Sequence, residues 1–261
     1  MTKTDDPRTQ LGGAFLKDVT VEFDDPNTGE TNRVLDNVNV TIGDGEFVAL
    51  VGRSGCGKTT MLNVFAGLVQ PVAGTVQVAG LEPRKARTET GYMFARDALL
   101  PWRTALGNVE YGMELHGKVK GAEKRQRAQQ YLERVHMGHA SKLWPWQMSQ
   151  GMRQRVALAR TWALEPKVLL MDEPFAALDA QTRLSVHREF LDVWESSKKS
   201  VVFVTHDLTE AIELSDRVIV LGEGGSIVDD FVVPFARPRD IELSTLPEFQ
   251  DLRRHLIECI F

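Results

Sequence analysis

The sequence is poor in cysteine and has no long apolar runs. It holds 2 cysteines in 261 residues, Cys56 and Cys259, which lie far apart and form no disulfide framework. No apolar run approaches the roughly 20 residues that a membrane-spanning helix needs. The first ten residues are polar, carry both charge signs and lack the apolar centre of a signal peptide. These absences together predict a cytoplasmic protein.

The chain also lacks an excess of basic residues, a fixed-period repeat and a low-complexity tract. Its 31 Lys and Arg stand against 36 Asp and Glu, a formal net charge of −5. Nonspecific nucleic-acid binding requires a basic surface, so this balance argues against it. With 43% hydrophobic and 26% charged residues, the composition is typical of a globular protein. The length suits one large domain or two modest ones.

The hydrophobic pattern predicts an α/β fold. Alternating apolar residues over 15–23 and 34–42 predict two strands joined as a hairpin. Short apolar runs predict further strands at 47–51, 75–78, 91–94, 168–171, 201–204 and 217–221, and helical spacing predicts helices at 58–66, 105–115, 121–135, 152–164, 181–198 and 208–214. Strands that alternate with helices indicate a mostly parallel sheet. Residues after 222 are predicted to form a tail with a short helix over 249–259.

A glycine-rich segment follows the buried strand at 47–51. Residues 52–59, GRSGCGKT, match G-x-x-x-x-G-K-[ST], and a helical pattern comes directly after them. Glycines let backbone N–H groups approach phosphate oxygens, Lys58 supplies a cation to the β- and γ-phosphates, and the Thr59 hydroxyl is a hard ligand for Mg²⁺. A glycine-rich turn without a ligand is the alternative. The predicted phosphate-binding residues are Gly52, Arg53, Ser54, Gly55, Cys56, Gly57, Lys58, Thr59 and Thr60.

Two later strands also end in groups suited to phosphate chemistry. The apolar run at 168–171 is followed by Asp172 and Glu173, and the run at 201–204 is followed by Thr205 and His206. Carboxyl ends of parallel strands meet in one crevice, where α/β proteins bind ligands. Asp172 is therefore predicted to hold Mg²⁺, Glu173 to act as a general base and His206 to contact the γ-phosphate. Solvated acids and a structural histidine are the alternatives.

In combination with other motifs, these residues resemble the ATP-binding subunits of ABC transporters over roughly residues 15–235. The additional motifs are MSQGMRQR at 148–155, ALD at 177–179 and THD at 205–207. A narrower resemblance, to importers of nitrate, sulfonate, taurine and bicarbonate, is carried by LLPWRT at 99–104 and by the RPR tail at 237–239.

The resemblance implies a P-loop NTPase cassette core with an antiparallel β subdomain. It implies a nucleotide-binding domain over 15–235, a helical subdomain over about 95–165 and a C-terminal tail over 236–261. It further implies an ATPase that uses ATP and Mg²⁺ to power import of a small anionic solute. The implied partners are a second cassette paired head to tail, two transmembrane permease subunits and an extracytoplasmic solute-binding protein. The implied location is the cytoplasmic face of the membrane.

The resemblance also assigns roles to individual residues. Lys58, Glu173 and His206 are implied to be catalytic, and Thr59 and Asp172 to hold the metal. The list of implied contacts to nucleotide adds Ser149 and Gly151 of a signature loop that completes the site of a second copy, Asp179 of the loop between the two sites, and Phe23, which stacks on adenine. Core packing is the alternative for Phe23, because it shares the parity of Val19 and Val21.

Two positions depart from the family pattern. Ala95 stands where the family has a glutamine that reaches Mg²⁺ and the attacking water, and alanine coordinates nothing. Arg96, Asp97 or a water molecule is a candidate to take its place. The signature reads Met-Ser-Gln-Gly-Met at 148–152 instead of Leu-Ser-Gly-Gly-Gln. These changes predict slow but real hydrolysis.

Two other functions are alternatives to an importer ATPase. A non-transport ATPase acting on DNA or ribosomes is disfavoured by the single phosphate loop and the absence of sustained heptads. A degenerate cassette that only binds ATP as a regulatory subunit stays open because of Ala95.

The basic stretch 118–127 is either a solvated helix face or a contact for anionic headgroups. The other histidines lack metal-ligand spacing and a cysteine nearby, which predicts no transition metal.

Overall fold

The computed structural model describes residues 13–24, 26, 29–116, 119–239 and 241–261. The predictions made for the polar N-terminal residues and for Lys118 of the basic stretch lie outside these residues. The chain divides into two compact units. The first unit comprises Met1–Arg87 and Lys199–Phe261, and the second comprises Thr88–Lys198.

The strands and helices carry one numbering for both units. The strands are β1 (Ala14–Asp24), β2 (Thr31–Ile42), β3 (Phe47–Gly52), β4 (Ala73–Val78), β5 (Thr90–Met93), β6 (Val168–Asp172), β7 (Ser200–Val204), β8 (Arg217–Leu221) and β9 (Ile227–Val232). The α-helices are α1 (Lys58–Phe65), α2 (Ala105–His116), α3 (Gly121–Arg134), α4 (Gln150–Trp162), α5 (Ala180–Ser197), α6 (Leu208–Leu214) and α7 (Pro247–Ile260). Every strand and helix predicted from the apolar pattern is present, which confirms the α/β expectation.

The first unit contains an antiparallel sheet of three strands in the order β2-β1-β4. The predicted hairpin of β1 and β2 is confirmed by their antiparallel pairing. Val19 and Val21 of β1 are fully buried, whereas Phe23 is 45% exposed. The shared parity fails to predict this difference because the pairing shifts register beside Val21 on both sides, and a shift turns side chains to the other face.

The first unit also contains the buried parallel strands that position the phosphate loop. β3 lies between β7 and β8 and is parallel to both. All residues of the three strands are buried. This pattern of continuous apolar residues is expected for strands covered on both faces. The carboxyl ends of β3 and β7 therefore lie at one edge of the sheet.

The segment after residue 222 contains more structure than the predicted tail. The predicted helix is confirmed as α7. The sequence pattern predicted no strand here, but β9 is present and pairs antiparallel with β8. β9 was missed because its sequence, IVDDFV, is mostly exposed and carries two acids, as suits an edge strand. α7 is anchored by the fully buried Phe249 and Leu256. The Phe249 ring stacks on Phe235 with centroids 6.0 Å apart.

The second unit joins the parallel pair of β5 and β6 with helices α2 to α5. The loop 99–104 is held by the buried Asn108, which accepts a hydrogen bond from Leu100 N at 2.7 Å and donates to the carbonyls of Leu100, Arg103 and Thr104. Trp102 of this loop is 68% exposed. In the described part of the chain, no helix combines the length and hydropathy that a membrane span requires.

Candidate nucleotide-binding site

The loop after β3 has a backbone that requires glycine. Gly52, Gly55 and Gly57 have φ values of 149°, 82° and 104°, which L-residues rarely adopt. A Cβ on Gly52 would lie 2.3 Å from the carbonyl oxygen of Leu221, and one on Gly57 would lie 2.7 Å from Leu35 Cδ2. A side chain at either position would be strained and would crowd its neighbours, and the two glycines set the curvature of the loop.

The ammonium group of Lys58 lies inside the curve of this loop. Lys58 is 5% exposed, and its Nζ donates to the carbonyl oxygens of Gly52 and Arg53, each at 2.8 Å. Cys56 Sγ lies 3.8 Å from the same nitrogen. The two carbonyl oxygens carry no formal charge, so an anionic phosphate would suit the buried ammonium of Lys58.

The start of α1 supplies further groups for a phosphate. Gly57 caps the helix, and the first turn has no acidic residue. Backbone N–H groups and the positive end of the helix dipole therefore face the loop without a competing charge. Thr59 is exposed in this first turn. Its hydroxyl is a hard oxygen donor, the kind of ligand that Mg²⁺ prefers.

His206 lies at the same edge of the sheet as the phosphate loop. Leu50 of β3 is paired with Val204 of β7, and Thr205 N donates to Leu50 O at 3.4 Å. Gly52 lies two residues after Leu50, and His206 lies two residues after Val204. His206 is exposed, and the structure thus brings it to the loop within the first unit.

Phe23 at the end of β1 has an exposed ring. Its 45% exposure contradicts the core-packing alternative and leaves the ring free of the sheet interior. Arg53 of the phosphate loop is also exposed, and its guanidinium carbon lies 6.0 Å from the centroid of the Phe261 ring. Planar groups with an accessible face suit contacts with a nucleotide base.

In the second unit, the acids after β6 lie in a constrained segment. Asp172 ends the strand, and Glu173 has a φ of 47°, in the left-handed region that non-glycine residues seldom occupy. The side chain of Gln154 donates to the carbonyl oxygen of Pro174. Burial, with a contribution from the charge of Asp172, raises the pKa of Tyr92 above its ordinary value. Asp172 is thus a carboxylate beside a half-buried phenol.

The signature loop and the loop of Asp179 meet at the starts of two helices in the second unit. Ser149 caps α4, and its Oγ accepts a hydrogen bond from Met152 N at 3.3 Å. Asp179 caps α5 and accepts one from Thr182 N at 3.0 Å. A Cβ on Gly151 would lie 2.5 Å from Thr182 Cγ2, so the two helix starts touch. Ser149 and Asp179 are exposed on this surface.

The position of Ala95 is exposed, and one predicted replacement for its missing amide is engaged elsewhere. The carboxylate of Asp97 accepts hydrogen bonds from Arg153 Nε at 2.9 Å and from Leu99 N at 3.2 Å. Its carbonyl accepts one from Arg160. Asp97 is therefore hydrogen-bonded to two arginines of α4. Arg96 is exposed beside Ala95.

Several residues that shape these loops were not predicted from the sequence. Gln154 and Arg153 belong to the motif at 148–155, and the motif alone could have marked them as candidates. The proximity of Gly151 to Thr182 carries no local signal, because it joins residues that are distant in sequence. Trp146 is 68% exposed and stacks on Trp144 with ring centroids 5.1 Å apart.

Comparisons with known proteins agree with these features. The family profile described as ABC transporter matches residues 35–176. The bicarbonate transport ATP-binding protein CmpD of Synechocystis is 38% identical over 263 residues, which cover 98% of this chain and 92% of that protein. The taurine import ATP-binding protein TauB of Mesorhizobium japonicum is 39% identical over 254 residues, with coverage of 94% and 96%.

A solved structure gives the same result for the fold. It is the dimeric structure of a post-hydrolysis state of an ATP-binding cassette bound to ADP and Pi. The TM-score is 0.74 at 34% sequence identity, and the match covers 85% of this chain and all of that chain. The predicted cassette fold is thereby confirmed. The chain belongs to the ABC transporter family, as one of its ATP-binding cassettes that hydrolyse ATP.

Proposed function

We propose that the chain is the ATP-hydrolysing subunit of an importer for a small anionic solute. The hydrolytic part rests on one observation above all, the buried Lys58 ammonium held between loop carbonyls at the start of α1. The importer part rests on relatives named for bicarbonate transport and taurine import, which match this chain over nearly its whole length. Bicarbonate is an anion and taurine carries a sulfonate, so the proposed solute class is a small anion.

The proposed reaction is in-line attack of water on the γ-phosphate of ATP. Lys58 compensates the charge that develops on the phosphoryl oxygens, and Glu173 accepts a proton from the attacking water. His206 holds the γ-phosphate in place by a hydrogen bond. Backbone N–H groups of residues 52–60 bind the β- and γ-phosphates, and the exposed ring of Phe23 stacks on adenine.

Mg²⁺ is proposed as the metal of this reaction. Thr59 supplies a hydroxyl oxygen and Asp172 a carboxylate oxygen, a donor set of the hard type that fits Mg²⁺. When bound, the ion supplies positive charge against the phosphate oxygens. The remaining work falls to the chain, which binds and orients the nucleotide.

The functional unit is proposed to be a pair of cassettes. Ser149 and Gly151 of one copy complete the site of the other, and Asp179 carries contacts between the two sites. Two transmembrane permease subunits and an extracytoplasmic binding protein complete the importer, with the cassettes at the cytoplasmic face of the membrane. Residues 15–235 form the nucleotide-binding domain, with the helical subdomain over about 95–165, and 236–261 form a C-terminal tail that packs on it through Phe249.

The regulatory cassette that the sequence left open would bind ATP without hydrolysing it. It rests on the exposed Ala95, which offers no amide to a water or a metal, and the comparisons do not support it. We expect the purified wild-type chain or complex to hydrolyse ATP faster than its Glu173→Gln variant. Equal rates would contradict the proposed role of Glu173 as the general base.

The importer proposal is tested by capture from the native host. A tagged Glu173→Gln chain in ATP and Mg²⁺ should retain the closed pair on its partners, because binding occurs without hydrolysis. We expect membrane-spanning chains and a solute-binding protein to be captured with it. A tagged Glu195→Gln chain is the matched control, since Glu195 is an exposed acid on α5. Capture of ribosomal or DNA-associated proteins instead would rule out the importer.

A further inference from the structure

Three side chains of different chemistry converge where α7 faces β9. His255 and Cys259 lie one turn apart on α7, and Asp229 comes from β9. Asp229 Oδ2 lies 2.6 Å from His255 Nε2, Cys259 Sγ lies 3.6 Å from the same nitrogen, and Sγ and Oδ2 are 4.0 Å apart. The expectation that no histidine has a cysteine nearby is therefore wrong for His255. The spacing His-x-x-x-Cys on a helix was the signal that could have predicted it.

The geometry does not suit a catalytic triad, in which a histidine held by an acid activates a nucleophile. In such a triad, the acid binds one ring nitrogen of the histidine and the nucleophile faces the other. Here the carboxylate and the thiol both approach Nε2. Three potential donors therefore point at one place in space, and this is the arrangement of a chelate.

The donor set and its dimensions identify the class of ligand. We propose that Asp229, His255 and Cys259 form a binding site for Zn²⁺ or a similarly thiophilic divalent cation. Thiolate and imidazole select such metals over Mg²⁺ and Ca²⁺, which prefer oxygen. Bonds of about 2.3 Å to sulfur and about 2.0 Å to nitrogen and oxygen place tetrahedral ligand atoms about 3.3–3.6 Å apart. The Sγ to Nε2 distance already meets this value.

Metal binding would require small changes in the other two distances. The short contact between Asp229 and His255 is a hydrogen bond, and an ion that replaces its proton would widen it by about 0.7 Å. Cys259 Sγ and Asp229 Oδ2 would approach each other by about 0.5 Å. Both movements are within reach of side-chain rotation, because the three residues lie at the protein surface.

The backbone around the site holds the donors in position. β9 is paired with β8 along its length, and α7 is fixed by the buried Phe249 and Leu256. Phe231 lies against the His255 ring, with centroids 6.2 Å apart, which restricts its rotation. The neighbouring acid Asp230 is bound to Arg217 and does not compete as a ligand. Among the described residues, Asp229, His255 and Cys259 are the group whose ligand atoms converge in this way.

The site is open on one side. The side chain of His255 is 51% exposed and that of Asp229 is 31% exposed. Three protein ligands and an accessible fourth position filled by water form a coordination sphere that Zn²⁺ commonly accepts. All three ligands belong to one chain and one unit. The proposal is therefore independent of the proposed transport function.

The binding test uses the full-length chain without a histidine tag and without nucleotide, since phosphates would chelate the metal. Calorimetric titration with Zn²⁺ is expected to show one equivalent per chain. Titration with Co²⁺ is expected to produce the near-ultraviolet absorption of a thiolate-to-cobalt bond and the visible bands of tetrahedral cobalt. The chain has two cysteines, so a Cys56→Ser variant assigns that absorption to Cys259 if it persists.

Matched variants decide between this site and adventitious binding. Cys259→Ser should abolish the thiolate absorption, and His255→Ala and Asp229→Asn should weaken Zn²⁺ at least tenfold. The controls His139→Ala and Asp251→Asn change exposed residues of the same types and should leave both signals intact. Thermal melting of each variant verifies folding. Absence of binding in the wild type, or binding unchanged by the three ligand variants, would overturn the proposal.

Discussion

At the residue scale, two glycines of the phosphate loop are needed for different reasons. Gly57 combines a φ of 104° with a Cβ position 2.7 Å from Leu35 and 3.1 Å from Val34 O. Gly55 has a φ of 82° and open space around it. We expect Gly57→Ala to lower the free energy of unfolding by about 2–4 kcal/mol, from backbone strain and overpacking. Gly55→Ala carries the strain alone, about 1–2 kcal/mol.

Urea denaturation of the two alanine variants measures this difference. Because the substitution is the same and both glycines lie in one loop, each variant serves as the control for the other. Equal losses for Gly55→Ala and Gly57→Ala would contradict the role of the contact with Leu35. A larger loss at Gly55 would contradict the described loop itself.

The exposed ring of Phe23 gives a second prediction at this scale. Stacking of a base on an aromatic ring contributes about 1–3 kcal/mol, so Phe23→Ala should raise KM for ATP by about 5- to 150-fold while kcat changes little. Melting temperature should change little, because the ring is 45% exposed and supports no core. Steady-state ATPase kinetics provide the measurement. Leu246→Ala, which removes a side chain of similar exposure at 43%, is the control, and an unchanged KM in Phe23→Ala would exclude stacking.

At the element scale, the start of α5 depends on the charge of Asp179. Hydrogen bonds from Thr182 lower the pKa of the Asp179 carboxyl below its ordinary value. A group whose pKa is lowered on folding stabilises the fold above its unfolded pKa of about 3.9, and this stabilisation is lost as pH falls through the folded pKa. We expect Asp179→Ala to melt below wild type at about pH 6, with a difference that narrows towards pH 3.

Thermal melting of the wild type and of Asp179→Ala across this pH range provides the measurement. Asp179→Asn separates the charge from the cap, because asparagine also caps helices but does not titrate. The melting temperature of Asp179→Asn should lie below that of wild type at about pH 6, because asparagine carries no charge. The difference should become smaller towards pH 3, where Asp179 is protonated. A difference between Asp179→Ala and wild type that stays constant with pH would show that ionisation of Asp179 does not contribute.

The elements that could be predicted differ from those that could not in how they are buried. Strands β3, β6, β7 and β8 are continuous apolar runs, because both faces are covered, and such runs are visible in the sequence. β9 is held by its pairing with β8 and by the ion pair between Asp230 and Arg217. No local sequence pattern encodes either of these contacts. The motif residues were found because phosphate chemistry restricts residue type. The cluster on α7 was missed because one of its members comes from a distant strand.

At the scale of the whole molecule, the proposed function requires a second chain. Ser149 and Asp179 lie on a surface where α4 and α5 begin. The exposed N-terminus of a helix suits a phosphate bound by another copy. The pairing of two chains therefore makes a prediction that one chain alone does not.

Mixing two inactive variants tests this pairing. Lys58→Ala removes the cation of the phosphate loop, and Ser149→Arg blocks the signature loop, so each pure variant should lack ATPase activity. If each site joins the phosphate loop of one chain to the signature loop of the other, a mixed pair has one site with both defects and one site with none. Half of the pairs are mixed and each carries one intact site of two, so activity should recover to about a quarter of wild type.

A second mixture makes this recovery specific to the crossed arrangement. Lys58 and Glu173 are proposed to act on the same γ-phosphate from the same chain, so pairs of Lys58→Ala with Glu173→Gln have a defect in both sites and should stay inactive. Recovery in the first mixture and none in the second is the result that crossed sites require. If the first mixture also stays inactive although the chains form mixed pairs, Ser149 acts within its own chain, and its exposure at the start of α4 needs another explanation.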